Sequence, residues 1–177
     1  MKLRRIFFYV FLSLITLYVS VCTYMYIFQR NFLYHPYKNN YLRGEKLNTE
    51  IKEVSIPSTE GITLKSWFYK NPQNKYTVLF FHGNAGELGN RIYKLNELKN
   101  LNLNYLIISW RGFSGNKGSP TEQGLYSDAR SAIEWLEKNN ILKNKIILYG
   151  ESLGTGVAIE VAQNQKFAGI ILESPYT

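Results

Sequence analysis

The chain has 177 residues, 45% hydrophobic and 19% charged, enough for one domain with a real core and outside the compositional range of disordered chains. Its net charge of +8 suggests nucleic acid until it is followed along the sequence: Lys2, Arg4, Arg5 and Arg30 supply half of it, all at the ends of one apolar run. The other basic residues are scattered without an accompanying aromatic platform, so nucleic acid is excluded as a partner.

That run, Ile6 to Phe28, carries no charge. As a helix its 23 residues would reach roughly 34 Å, enough for a hydrocarbon core with some tilt. Apolar side chains on every face argue against a buried soluble helix. The rival reading is a cleaved secretory signal, but no A-x-A site follows. VSVC, Val19 to Cys22, only faintly matches a lipoprotein site, with bulky Val21 before the cysteine. Residues 1–30 are therefore read as a single-pass membrane anchor, with residues 6–28 in the bilayer. The cluster of Lys2, Arg4, Arg5 and the terminal amine places the main domain on the non-cytoplasmic side.

Residues 31–50 form a connector whose Tyr34, Pro36 and Tyr37 suit a membrane interface. Lys52–Ser58 and Ile62–Lys70, split by Thr59-Glu60-Gly61, predict a hairpin. Thereafter the chain alternates. Thr77–Phe81 is a buried strand, and Glu87–Asn100 a helix with Leu88, Ile92, Leu95 and Leu98 on one face. Tyr105–Trp110 is the next strand. Ser119-Pro120-Thr121-Glu122 reads as a capping box with proline in first helical position, ahead of the face Leu125, Ala129, Ala132, Ile133 and Leu136. Lys145–Tyr149 is a strand, Leu153 to about Gln163 a helix, and Ala168–Ser174 a strand. Unbroken apolar strands between helices predict an α/β domain over residues 51–177, with a mostly parallel sheet and helices on both faces.

In such sheets ligands bind beyond the carboxyl ends of the strands, and three glycine-rich loops fall there. Gly150-Glu151-Ser152-Leu153-Gly154 lies between strand and helix, the context of a nucleophile elbow. There a sharp turn lifts the serine hydroxyl clear of the sheet and points the next N–H at the same space. An oxyanion needs two such donors; Leu153 and Asn84 of His82-Gly83-Asn84-Ala85-Gly86 are the candidates. His82 and Arg111 are read as braces for their loops. Neither phosphate-binding glycine pattern is present. The single cysteine, Cys22, rules out an intrachain disulfide and a cysteine-ligated metal site.

Taken together, FQRNFLYHP, HGNAG, WRGFSGNKGSPTEQGLYSDA, GESLGTG and LESPYT, in this order, resemble the serine α/β-hydrolases, in particular their membrane-anchored, serine-aminopeptidase-domain (lysophospholipase-like) branch. The resemblance implies Ser152 as nucleophile, oxyanion donors at Leu153 and Asn84, and Gly83, Gly150 and Gly154 as motif support. It implies hydrolysis of ester, thioester or amide bonds in a small-molecule, lipid or peptide substrate, without metal or organic cofactor. In that family an acid and then a histidine follow the serine. Here 25 residues follow Ser152 and none is histidine. The expectation is a fold incomplete at its C-terminus and a chain of weak or no activity. The alternative is a truncated, non-catalytic remnant serving as an anchored binding module.

Overall fold

The computed structural model describes residues 2–36 and 50–176. In chain order the elements are α1 (Lys2–Leu33), β1 (His35–Pro36), β2 (Lys52–Pro57), β3 (Thr63–Tyr69), β4 (Thr77–Phe81), β5 (Ala85–Gly86), α2 (Ile92–Asn100), β6 (Asn104–Ile108), α3 (Glu122–Lys138), β7 (Ile146–Glu151), α4 (Leu153–Ala162) and β8 (Gly169–Glu173). They divide into two compact units, residues 1–34 and 35–177.

The first unit is α1. It buries none of its residues, and it is long and apolar enough to cross a membrane. It outruns the apolar segment at both ends because nothing near Lys2–Arg5 or Gln29–Leu33 breaks a helix. Tyr37, from the connector, lies outside the described residues.

The second unit is built on a six-stranded sheet in the order β2-β3-β6-β4-β7-β8. β2 and β3 form the expected hairpin, β3 meets β6 antiparallel, and β6, β4, β7 and β8 run parallel. Alternation along the strands sends neighbouring side chains to opposite faces. Trp67, Val78, Phe80, Tyr105 and Ile107 pack with Leu88, Ile92, Leu95 and Leu98 around α2. On the other face Phe68 meets Trp135 of α3 edge-on, 5.1 Å between ring centres. The expected α3 stripe of Leu125, Ala129, Ala132, Ile133 and Leu136 is buried throughout. All five residues of β4 are buried, as a strand covered on both faces must be.

Two helix starts differ from expectation. α3 is capped by Thr121, whose hydroxyl accepts the Gly124 N–H at 3.0 Å, so Ser119 and Pro120 stay outside the helix. Thr121 holds an extended backbone and sits three residues before an available N–H, which is what an N-cap needs. The segment predicted as one helix over Glu87–Asn100 opens as a 3-10 turn, Leu88–Arg91, before α2. Its early donors are diverted: Glu87 N–H goes to Asn90 Oδ1 at 2.8 Å and Leu88 N–H to Ser114 Oγ at 3.2 Å.

Candidate active site

β4 and β7 are adjacent parallel strands inside the sheet, with Phe81 opposite Gly150 in register. The loops that leave their carboxyl ends are therefore neighbours. The β4 loop is His82-Gly83-Asn84, and the turn after β7 is Ser152 alone.

Ser152 holds φ 48° and ψ −113°, a left-handed, sparsely populated conformation for a residue with a β-carbon. That kink turns β7 into α4 without a linker. Its hydroxyl makes no capping bond to α4, which leaves the oxygen for other work. Three ties hold the turn. Ser152 N–H donates to the carbonyl of Glu173 at 2.9 Å, and Ser152 O accepts Thr155 N–H at 2.9 Å and the Thr155 hydroxyl at 2.6 Å.

The glycines allow backbone to crowd this corner. A β-carbon on Gly154 would lie 2.0 Å from Phe81 O, and one on Gly150 would lie 2.4 Å from Gly154 O. α4 can start against the end of β4 only because neither residue has a side chain. A β-carbon on Gly83 would meet Ser152 Cβ at 3.5 Å and Glu151 Oε1 at 3.3 Å, so the β4 loop runs directly past the serine.

Leu153 is half-buried and opens α4, where no carbonyl within the helix can accept its N–H. Asn84 is half-buried in the β4 loop. Its orientation is set by His82. Nδ1 of His82 donates to Gly83 O at 2.8 Å, and in a planar trans peptide the following N–H, that of Asn84, points the opposite way.

His82 itself is fully buried. Nε2 accepts Trp110 N–H at 3.4 Å, and the His82 carbonyl accepts Trp110 Nε1–H at 3.0 Å. A ring that donates from Nδ1 and accepts at Nε2 is neutral. Burial, and secondarily the charge of Arg91, pull its pKa down to about 3, against the pull of the Gly83 bond. With both nitrogens engaged, this ring braces its loop and has no lone pair left for a serine proton.

The residue before the serine anchors a charge network that sequence reading did not reveal. Glu151 accepts Arg91 Nη2 at 3.0 Å and Lys94 Nζ at 3.1 Å. Lys94 also pairs with Glu173, which accepts the Tyr149 hydroxyl at 2.8 Å. The Lys94 bond, opposed by partial burial, holds the Glu173 carboxyl below its usual range. Burial works against the Lys94 charge, but the bonds to Glu173 and Glu151 outweigh it and raise its pKa. Tyr149 is pushed up to about 12 by burial and by its bond to Glu173. Glu173, the one acid after the serine at a strand end, is thus committed to structure. Arg91 and Lys94 lie about sixty residues before Glu151, so no local spacing could have announced them.

Arg111 is likewise a brace. Its Nη2 meets Asp128 Oδ1 at 2.9 Å, and further bonds reach Glu60 and Thr59, joining the hairpin turn, the β6 loop and α3. No group of three or more metal-ligating side chains occurs among the described residues.

The geometry is that of an elbow serine beside a loop of small residues, and comparison with known proteins gives it a family. Residues 76–177 match the alpha/beta hydrolase fold. The chain is 35% identical over 147 residues to protein bem46 of Schizosaccharomyces pombe, covering 79% of this chain and 49% of that one. It is 35% identical over 119 residues to the lysophosphatidylserine lipase ABHD12 of Danio rerio, covering 63% and 31%. An alpha-beta hydrolase structure from Vibrio vulnificus superposes with a TM-score of 0.64 at 26% identity, covering 72% and 46%. The chain spans about half the length of the curated relatives it matches. On its sequence and on its sheet alike, this chain belongs to the alpha/beta hydrolase fold family.

Proposed function

We propose that the chain is a membrane-anchored serine hydrolase that cleaves ester, thioester or amide bonds. The observation that carries this reading is the left-handed kink at Ser152 between β7 and α4, beside Gly83. Strain of this kind, on the order of 1–3 kcal/mol, persists where the surroundings impose it and typically marks a working residue.

In this reading Ser152 Oγ attacks the substrate carbonyl while its proton leaves to a base. The carbonyl oxygen becomes an anion between the N–H groups of Leu153 and Asn84, where developing charge meets fixed donors. Collapse breaks the bond to the leaving group, which takes that proton and departs as alcohol, thiol or amine, and the acyl-serine left behind is hydrolysed by water. Neither metal nor organic cofactor has a part in it. An acyl lipid is the favoured substrate class, since α1 suits a bilayer and one relative is named a lysophosphatidylserine lipase. The charge at Lys2, Arg4 and Arg5 supports a catalytic unit on the non-cytoplasmic side.

The chain has two histidines, His35 and His82, and the second is fully engaged. The engagement of both His82 nitrogens favours a second reading, a non-catalytic anchored module. A fluorophosphonate probe, with adducts mapped at peptide level, tests the nucleophile. The adduct is expected on Ser152 and absent from Ser152→Ala; undiminished labelling of that variant would remove Ser152 from the role. Hydrolysis of a short-chain aryl ester above the Ser152→Ala background favours the enzyme over the module.

A further inference from the structure

Asn84 is flanked by two peptide planes, and each is pinned by a different histidine. The plane before it is fixed by the ring of His82 through Gly83 O. The plane after it is fixed by the backbone N–H of His35, which donates to Asn84 O at 2.9 Å. That second bond opens a short parallel ladder, with His35 opposite Ala85 and Pro36 opposite Gly86. Arg91 Nη1 adds a bond to Ala85 O at 2.9 Å. β1 therefore adds a backbone tie to the loop beside those of the His82 ring and Arg91.

We propose that β1 is a positioning element for the candidate oxyanion loop, acting through the His35 N–H. The inference rests on the reading of Asn84 as a donor. A donor must keep its direction as charge develops, and a loop of Gly83, Asn84, Ala85 and Gly86 has little side-chain packing with which to do so. With both planes fixed, the Asn84 N–H cannot swing about either neighbouring bond. One residue, Tyr34, separates β1 from the end of α1 in sequence. The segment on which the chain leaves its proposed membrane span is thus also the clamp on its catalytic loop.

The test compares two variants of the full chain in detergent. His35→Ala changes the side chain and keeps the N–H, whereas His35→Pro removes the N–H. Amide hydrogen exchange over residues 83–87 is the readout, with β6, residues 104–108, as the internal reference. We expect exchange in the loop to rise at least tenfold in His35→Pro, with β6 unchanged and His35→Ala like the native chain. Native protection in His35→Pro, or equal loosening in His35→Ala, overturns the proposal. Should His35→Pro also loosen β6, the ratio of loop exchange to β6 exchange decides. A loop loosened tenfold more than β6 supports the clamp, and a loop loosened only as much as β6 overturns it. The rate of the fluorophosphonate adduct on Ser152 should fall in parallel; a loosened loop with an unchanged rate overturns the positioning role. Failure of the clamp leaves the Ser152 adduct intact, and failure of the hydrolase reading leaves the exchange result intact, so the two are separable.

Discussion

Gly154 approaches Phe81 so closely that a β-carbon on the glycine would stand 2.0 Å from the carbonyl oxygen of the phenylalanine. No flexible atom can yield there, because the neighbour is backbone in the central strand. Gly154→Ala is expected to cost more than about 3 kcal/mol, at the upper end of overpacking. Thermal melts of the variant check this; a midpoint within a degree or two of the native chain would contradict the close approach.

Ser152 separates strain from chemistry. Glycine relieves the left-handed backbone and alanine does not, so Ser152→Gly should be about 1 kcal/mol more stable than Ser152→Ala while both lose the probe adduct. Equal stability of the two variants would mean that the kink stores nothing.

Acid should weaken the fold through His82. The unfolded chain takes up this proton near pH 6.5, but the folded chain resists until about pH 3, so unfolding gains a proton between those values. Stability is full above pH 6.5 and declines as pH falls, by about 1.4 kcal/mol per pH unit at most. Denaturant titrations of the native chain between pH 7 and pH 5 should show that slope. His82→Asn should begin less stable and lack it.

The buried pair of Arg111 and Asp128 is a strut rather than a reactive site. Removing the acid strands a guanidinium whose side chain is only 3% exposed, with Glu60 as its remaining charged partner. Asp128→Ala should therefore cost about 3 kcal/mol. Ser152 labelling, measured below the melting transition, should be unchanged.

β8 is the outermost strand of the sheet order and leaves Ile170, Ile171 and Leu172 substantially exposed. Edge strands with apolar faces template pairing with other chains. Sedimentation of the detergent-solubilised chain should show association above the micelle background, reduced in an Ile170→Lys/Leu172→Lys variant. No difference between the two would clear this strand of blame.

Where an unbroken apolar run or an apolar stripe marks an element, the fold was legible before the structure. The strands over Thr77–Phe81 and Ala168–Ser174 and the α3 stripe through Leu136 carry their own pattern. β1 does not, because two residues hold no period and their partners lie about fifty positions away. The α3 cap was misread because Ser119, Pro120 and Thr121 all qualify, and only the backbone angles choose among them. Of the candidate site, the strand-to-helix turn at GESLG was legible, while the His35 bond to Asn84 and the ties of Glu151 to Arg91 and Lys94 form only after distant segments meet.

Strand order has one more implication. Ser152 and the proposed oxyanion loop spring from nearest neighbours, β7 and β4, so a single row of inter-strand bonds, about 4.8 Å wide, sets their separation. Natural variation in outlying loops can reshape what enters without disturbing that interval. On the proposed reading, substrate choice and bond-breaking geometry would thereby fall to different parts of one polypeptide.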